Sequence, residues 1–215
     1  MKTLIRPLIA AAALAALAGG ASAQATTGSL AGWNVLGDVV TQAGALVLTT
    51  AYAEAGDPDQ PFNLSGTSAI DITVIEPAAG LAPYALDLPE PEYAREGSLV
   101  TQSFAVAAGD TLRYSFSFST AEDAFLDHAF VVLNGQVITL ATRNFPGLPG
   151  AGHEYTFTSA GLVTLAFGVV DTGDYLGVST LSISNLSVTA VPEPATTALW
   201  LAGLGLVAGA ARRRR

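Results

Sequence analysis

Thr111-Leu112-Arg113-Tyr114-Ser115-Phe116-Ser117-Phe118-Ser119 alternates without a break. Leu112, Tyr114, Phe116 and Phe118 share one phase, and Thr111, Arg113 and the three serines share the other. Successive side chains of a strand point to opposite faces, so this period of two predicts a half-buried antiparallel strand. Gly109-Asp110 just before it is a turn signal. Phe116, with apolar or aromatic partners on either side in its own phase, is expected between two sheets.

The same pattern extends outward from that strand. Residues 129–133 and 136–141 read as two strands joined by Asn134-Gly135. That pair suits a two-residue hairpin, whose central residues both need positive φ. Residues 154–158 and 161–170 form another pair, followed by a loop, Asp171-Thr172-Gly173-Asp174. The last strand, 178–191, places Leu181 and Ile183 in one phase but Leu186 and Val188 in the other, which predicts a β-bulge near Ser184-Asn185. Toward the N-terminus, 45–51 is a compact β-prone run and 69–75 alternates as a strand, with Ile70, Ile72 and Val74 on one face. Residues 54–68 and the proline-rich 77–97 read as loops, the latter a solvated connection or a carrier of ligand contacts. Residues 28–39 are short apolar pieces broken by glycine, as in a first strand and turn, with Trp33 expected in the core. Helical periodicity is not sustained anywhere between the two ends. Eight or nine short strands separated by turns predict an all-β protein, an antiparallel β-sandwich.

Both ends are different in kind. Lys2 and Arg6 precede an apolar run over 8–17, and Ala21-Ser22-Ala23 fits the small-residue cleavage rule. Residues 1–23 therefore read as a secretory signal peptide. At the other end, Val191-Pro192-Glu193-Pro194 leads into an apolar run over 198–211 and then Arg212, Arg213, Arg214 and Arg215. The prolines fix φ and lack N–H donors, leaving an extended, accessible joint. Counted from Ala195, the apolar run approaches the roughly 17 residues that can span a thin bilayer. The four arginines are costly to translocate and mark the cytoplasmic side. The organisation is thus signal peptide 1–23, ectodomain 24–190 and C-terminal signal 191–215.

Removing the ends changes the charge. The ectodomain keeps only Arg95, Arg113 and Arg143 against all 18 acids (Glu193 in the joint counted with them), a net charge of about −15. Such a surface repels phosphate backbones and excludes nucleic acid as a natural partner. With no cysteine at all, disulfides, thiol chemistry and thiolate metal sites are excluded, and a secreted domain of this kind must rely on its hydrophobic core.

Motif, apolar helix and basic stop, in that order at the extreme C-terminus, resemble the sorting signal of PEP-CTERM proteins, a signature also known as the ice-binding protein C-terminal domain. The resemblance implies an exosortase-type membrane protease as partner, transient residence in the inner membrane of a bacterium, and passage to the envelope or extracellular polysaccharide and biofilm. Glu96-Gly97-Ser98, the run Ala108-Gly109-Asp110-Thr111-Leu112, the stretch from Phe118 to Asp123, the stretch from Asp127 to Val131, and the loop from Asp171 to Asp174 look like features of jelly-roll ectodomains in that family. In outline those ectodomains are similar to carbohydrate-binding modules.

Several chemistries can be weighed from residue types. Glu122, Asp123 and Asp127 lie between two strands, and Asp171 and Asp174 at the end of another. Loop acids at short spacing could supply a structural Ca2+, which takes six to eight oxygen ligands, although no D-x-D-x-D-G loop is present. No other cofactor is expected. A hydrolase would need two carboxylates across a cleft, and with 18 acids some pair meets any spacing by chance. His128 and His153 have no G-x-S-x-G motif to serve, so no catalytic residue is assigned and the chain reads as non-enzymatic. Sugar binding would use exposed rings, for which Tyr84, Tyr93 and Tyr175 are the candidates. Ice binding would want a flat face of regularly repeated threonines, and here they are scattered. The sequence therefore favours an exported surface or matrix protein, with a carbohydrate-binding module as the alternative and a secreted hydrolase behind it.

Overall fold

The computed structural model describes residues 30–190 together with Leu204 and Arg212. Residues 1–29, with the signal peptide expected over 1–23, and the segment 191–215 apart from those two residues lie outside the described residues. Eleven strands are formed: β1 Asn34–Leu36, β2 Asp38–Gln42, β3 Ala45–Thr49, β4 Ile70–Asp71, β5 Ala94–Val106, β6 Thr111–Thr120, β7 His128–Leu133, β8 Gln136–Thr142, β9 Gly152–Thr156, β10 Gly161–Thr172 and β11 Ser179–Thr189. Within residues 30–190 a helix, α1, spans Ile72–Ala78, and a 3-10 turn spans Gln60–Phe62.

The strands form two antiparallel sheets. Sheet A runs β1-β5-β10-β7-β8, with β4 beside β5, and sheet B runs β2-β3-β11-β6-β9. Between them lies the main core. Leu112, Tyr114, Phe116 and Phe118 of β6 meet Val100, Phe104, Leu165, Phe167 and Val169 of sheet A there, in the phase the alternation predicts. Trp33 is buried against Phe167, their ring centroids 6.5 Å apart. The result is an antiparallel, jelly-roll-like β-sandwich.

Sheet A also buries its outer face. Leu99, Phe130, Val132, Ala166 and Val170 pack there under Ile75 and Ala79 of the α1 segment and Leu86 of the following chain. Strands buried on both faces lose the polar half of the alternation, which is why β7 is buried at all six positions. Phe130 lies opposite Gly168, and a Cβ on Gly168 would sit 2.3 Å from the Phe130 ring. The missing side chain is what lets the ring lie against the strand.

Three sequence expectations are corrected here. Residues 69–75 do not continue as a strand: after Ile70–Asp71 the chain turns into α1. Asp71 caps the helix by accepting a hydrogen bond from Thr73 N (2.8 Å), and Ile72, Ile75 and Ala79, three and four residues apart, face sheet A while Val74 is exposed. A local cap and a helical apolar stripe prevail over a short period-two run. The 77–97 stretch is not all loop, because α1 extends into it and β5 begins at Ala94. β5 is the long central strand of sheet A, and its polar Glu96, Ser98 and Thr101 hide it from a hydrophobicity reading. Finally, β10 continues to Thr172, so Asp171 is a strand residue and not part of a loop. The Asn134-Gly135 hairpin has positive φ at both positions, and the bulge in β11 falls between Ser184 and Ser187 with Asn185 at φ 54°.

Candidate functional site

Two features at the α1 side of the molecule gather chemistry. The first is an acidic end to the inter-sheet layer. Asp171 lies directly opposite Glu96 across β10 and β5, in phase with the core-facing Val163, Leu165, Phe167 and Val169. Both carboxyls are buried, and Glu96 Oε1 and Asp171 Oδ1 have no hydrogen-bond partner. The Tyr52 hydroxyl donates to Glu96 Oε2. Asp127, fully buried, accepts from Thr172 N (3.0 Å) and the Ser179 hydroxyl (2.6 Å), joining sheet A to sheet B.

Burial without a cationic partner disfavours the charged carboxylate. Burial, then the negative charges of Asp127 and Glu96, push Asp171 up to about 10. Burial raises Glu96 to about 7 against the opposing hydrogen bond from Tyr52, and it raises Asp127 to about 7 against that from Ser179. His128, buried beside Asp127 in the chain, is lowered to about 4 because burial disfavours its imidazolium.

The five residues proposed from sequence as calcium ligands are placed differently from one another. Glu122 turns Oε1 back onto the N–H groups of Ala124 and Phe125. Asp123 is exposed, and Asp174 Oδ1 accepts from Leu176 N (3.0 Å). Among the described residues, no three His, Cys, Asp or Glu side chains come close enough to hold a metal ion. Glu122 through Oε1 and Asp127 through both oxygens already fasten the chain. Glu96, the partner that Asp171 does have, lies 75 positions away and would have been visible only by extending the core-facing phase of β10 beyond Val169.

The second feature is a cleft of about 320 Å³ between α1 and the chain that leads into β5. Tyr84 and Tyr93 stand at it, 80% and 42% exposed, with Thr73, Glu76, Asp87 and Arg95 among the lining. Tyr84 adopts φ 68°, a left-handed conformation that costs a bulky residue about 1–2 kcal/mol. Its N–H donates to Glu76 Oε2 (2.9 Å), and Leu86 N–H donates to Glu76 Oε1 (3.1 Å). Buried Glu76 thus folds the loop so that Tyr84 is turned outward. Asp87 Oδ1 accepts from Ala94 N (3.0 Å), fixing the far wall. Glu90 beside the Tyr93 hydroxyl raises that phenol's pKa.

Tyr175, the third candidate ring, is half exposed but lies outside this lining. The histidines have packing roles: His128 is buried near Phe130, and His153 stacks on Tyr114 at 5.3 Å.

Helix layer, sheet and sheet define a jelly-roll-like β-sandwich with an acidic, uncompensated end and an aromatic cleft on its covered side. The tail carries a more specific likeness: residues 190–215 match the family of the PEP-CTERM protein-sorting motif. That signal implies an exported protein. No curated protein matches the chain. Among solved structures, it is similar to a family 4 carbohydrate-binding module at 15% identity, TM-score 0.34, over 75% of this chain and 96% of that one. The N-terminal cellulose-binding domain of a Cellulomonas fimi β-1,4-glucanase C is similar at 15% identity, TM-score 0.36, over 80% and 96%. A family two carbohydrate esterase from Cellvibrio japonicus is similar at 10% identity, TM-score 0.35, over 80% of this chain and 36% of that one. At such identities and TM-scores these likenesses assign neither ligand nor activity. Among the described residues no helix is long and apolar enough to cross a membrane. The segment 195–211, read from sequence as the span, lies outside them except for Leu204.

Proposed function

We propose that this chain is a non-enzymatic surface or matrix protein that is cut from a transient inner-membrane anchor and then associates with extracellular polysaccharide. An exosortase-type membrane protease cuts near Pro192-Glu193-Pro194, and Arg212 to Arg215 hold the anchor until then. The observation that carries this reading is the match of residues 190–215 to the sorting motif. The fold supports it too, since β11 ends at Thr189 and the core is completed by strands that precede the joint. Cutting the joint would therefore leave the sandwich intact. The acidic, cysteine-free ectodomain suits life outside the cell.

The test is Glu193→Gln, which keeps size and removes the charge between two rigid prolines. Full-length precursor should accumulate in the inner membrane with the sandwich still folded, read by fractionation and immunoblotting. Normal processing of that variant would contradict recognition of the motif through its charge.

A further inference from the structure

We propose that the cleft between α1 and the chain entering β5 binds an acidic sugar, a uronate residue of a polysaccharide, with Tyr84 and Tyr93 against the ring and Arg95 on its carboxylate. This rests on the polysaccharide reading above and names the site and the class of sugar. The argument begins with Arg95. Only three arginines face 17 acids in the ectodomain, so each would be expected to find a carboxylate. Arg113 does, at 2.9 Å from Glu154, whereas Arg143 makes no ion pair among the described residues but keeps its Nε buried, away from the cleft. Arg95 makes no ion pair among the described residues; its Nε donates to the Gly173 carbonyl (3.2 Å), which orients the guanidinium beside the cleft.

The carboxylates nearest at hand are committed elsewhere. Both oxygens of Glu76 accept backbone N–H groups of the loop, and Asp87 accepts Ala94 N through Oδ1. That leaves the planar guanidinium as the group able to pair an incoming carboxylate, and it leaves Asp87 Oδ2 near the cleft to accept from sugar hydroxyls, while the Thr73 hydroxyl already donates to Asp71 Oδ1 (2.5 Å).

The rings supply the rest. Two large tyrosines left open to solvent at one cleft, one of them held outward by a left-handed backbone, form an amphipathic surface suited to the apolar face of a pyranose. The volume is at the lower end of the roughly 300–1,000 Å³ typical of ligand sites, room for a short stretch of sugar and not for a protein segment. The net charge of the ectodomain disfavours an acidic polymer, so the cation at the cleft, Arg95, is the group there that can offset that repulsion.

Isothermal titration of the full chain in mild detergent with a galacturonate tetramer, and with the same tetramer methyl-esterified at its carboxyls, tests this. The acidic form should bind at least tenfold more tightly than the neutral ester. Arg95→Gln should erase that preference, Arg95→Lys should keep part of it, and Tyr84→Ala should weaken both forms, with unchanged melting curves in each variant. Equal binding of acid and ester, or a preference that survives Arg95→Gln, would overturn the proposal. Co-sedimentation with extracellular polysaccharide from the producing cells separates two failures. Retention that is unaffected by Arg95→Gln and Tyr84→Ala sinks the cleft alone, whereas no retention of the unaltered chain sinks the polysaccharide reading with it.

Discussion

Sheet B buries one face and sheet A buries two, and the contrast runs through the whole molecule. In sheet B, β6 and β11 keep serines and threonines on the outer phase and large apolar residues on the inner one. In sheet A, β5, β7 and β10 are covered outside by α1 and its following chain and inside by sheet B. The one-sided sheet is a plain wall. The two-sided sheet carries the buried Glu96–Asp171 pair at its end, Gly168 under Phe130, and a cleft in the layer that covers it, although sheet B has its own buried carboxyl at Asp38 and the bulge at Asn185.

If both faces of sheet A are true core, truncations on its outer side should hurt as much as those between the sheets. Phe116→Ala, between the sheets, should cost about 3–5 kcal/mol, and Phe130→Ala, under α1, should cost the same. Ser117→Ala, on the open face of sheet B, should stay within about 0.5 kcal/mol. Chemical denaturation measures all three. A cheap Phe130→Ala would mean that the α1 layer is loosely applied and that sheet A is one-sided as well.

The same contrast shows what the sequence could reveal. A strand with one wet face writes its phase into the chain, so β6 and the slip at Asn185 were legible, while the β7–β8 hairpin was legible from its Asn134-Gly135 turn and not from a phase. Where both faces are dry, the phase is lost. β5 looked like a continuation of a proline-rich loop because Glu96, Ser98 and Thr101 sit where a reader expects apolar residues. α1 was missed because Asp71 as a cap and the Ile72–Ile75–Ala79 stripe have meaning only against a sheet face not visible in one dimension. Tyr84 and Tyr93 were recognised as exposed rings, yet their meeting at one cleft with Arg95 depends on that same unseen helix. Of the acids read as loop ligands, Glu122 and Asp174 fasten turns, Asp127 ties the two sheets, Asp171 faces Glu96 across strands and Asp123 is exposed, a distinction made by tertiary pairing and not by spacing.

A smaller effect sharpens the difference between the sheets through pH. Glu96 and Asp127 at about 7 and Asp171 at about 10 all lie above their unfolded values, so between about pH 4 and those values the folded state holds more protons than the unfolded one. Their contribution is present at low pH and is lost as pH rises. His128, lowered to about 4, acts in the opposite sense between about pH 4 and 6.5, so the net fall steepens above that window. The melting temperature should drop from pH 5 to pH 8, and Asp171→Asn should flatten the drop. A melting temperature that rises over this range would contradict the buried, uncompensated acid pair. Calcium added at pH 8 separates protons from cations: with no three carboxylates gathered among the described residues, it should shift melting less than the pH step does. A larger rise would mean that the acidic end closes around an ion.

Among the described residues neither sheet extends past Thr189, so both sheets are complete before the joint proposed at residues 192–194. In the proposed pathway the cut is made at that joint: the sandwich is the mature protein and the tail is an address removed after use. Intact mass spectrometry of the protein recovered from the envelope or medium of cells that contain an exosortase tests it most directly. The expected species begins at Gln24 and ends within residues 192–195. A mature protein that still carries Arg215 would contradict the claim.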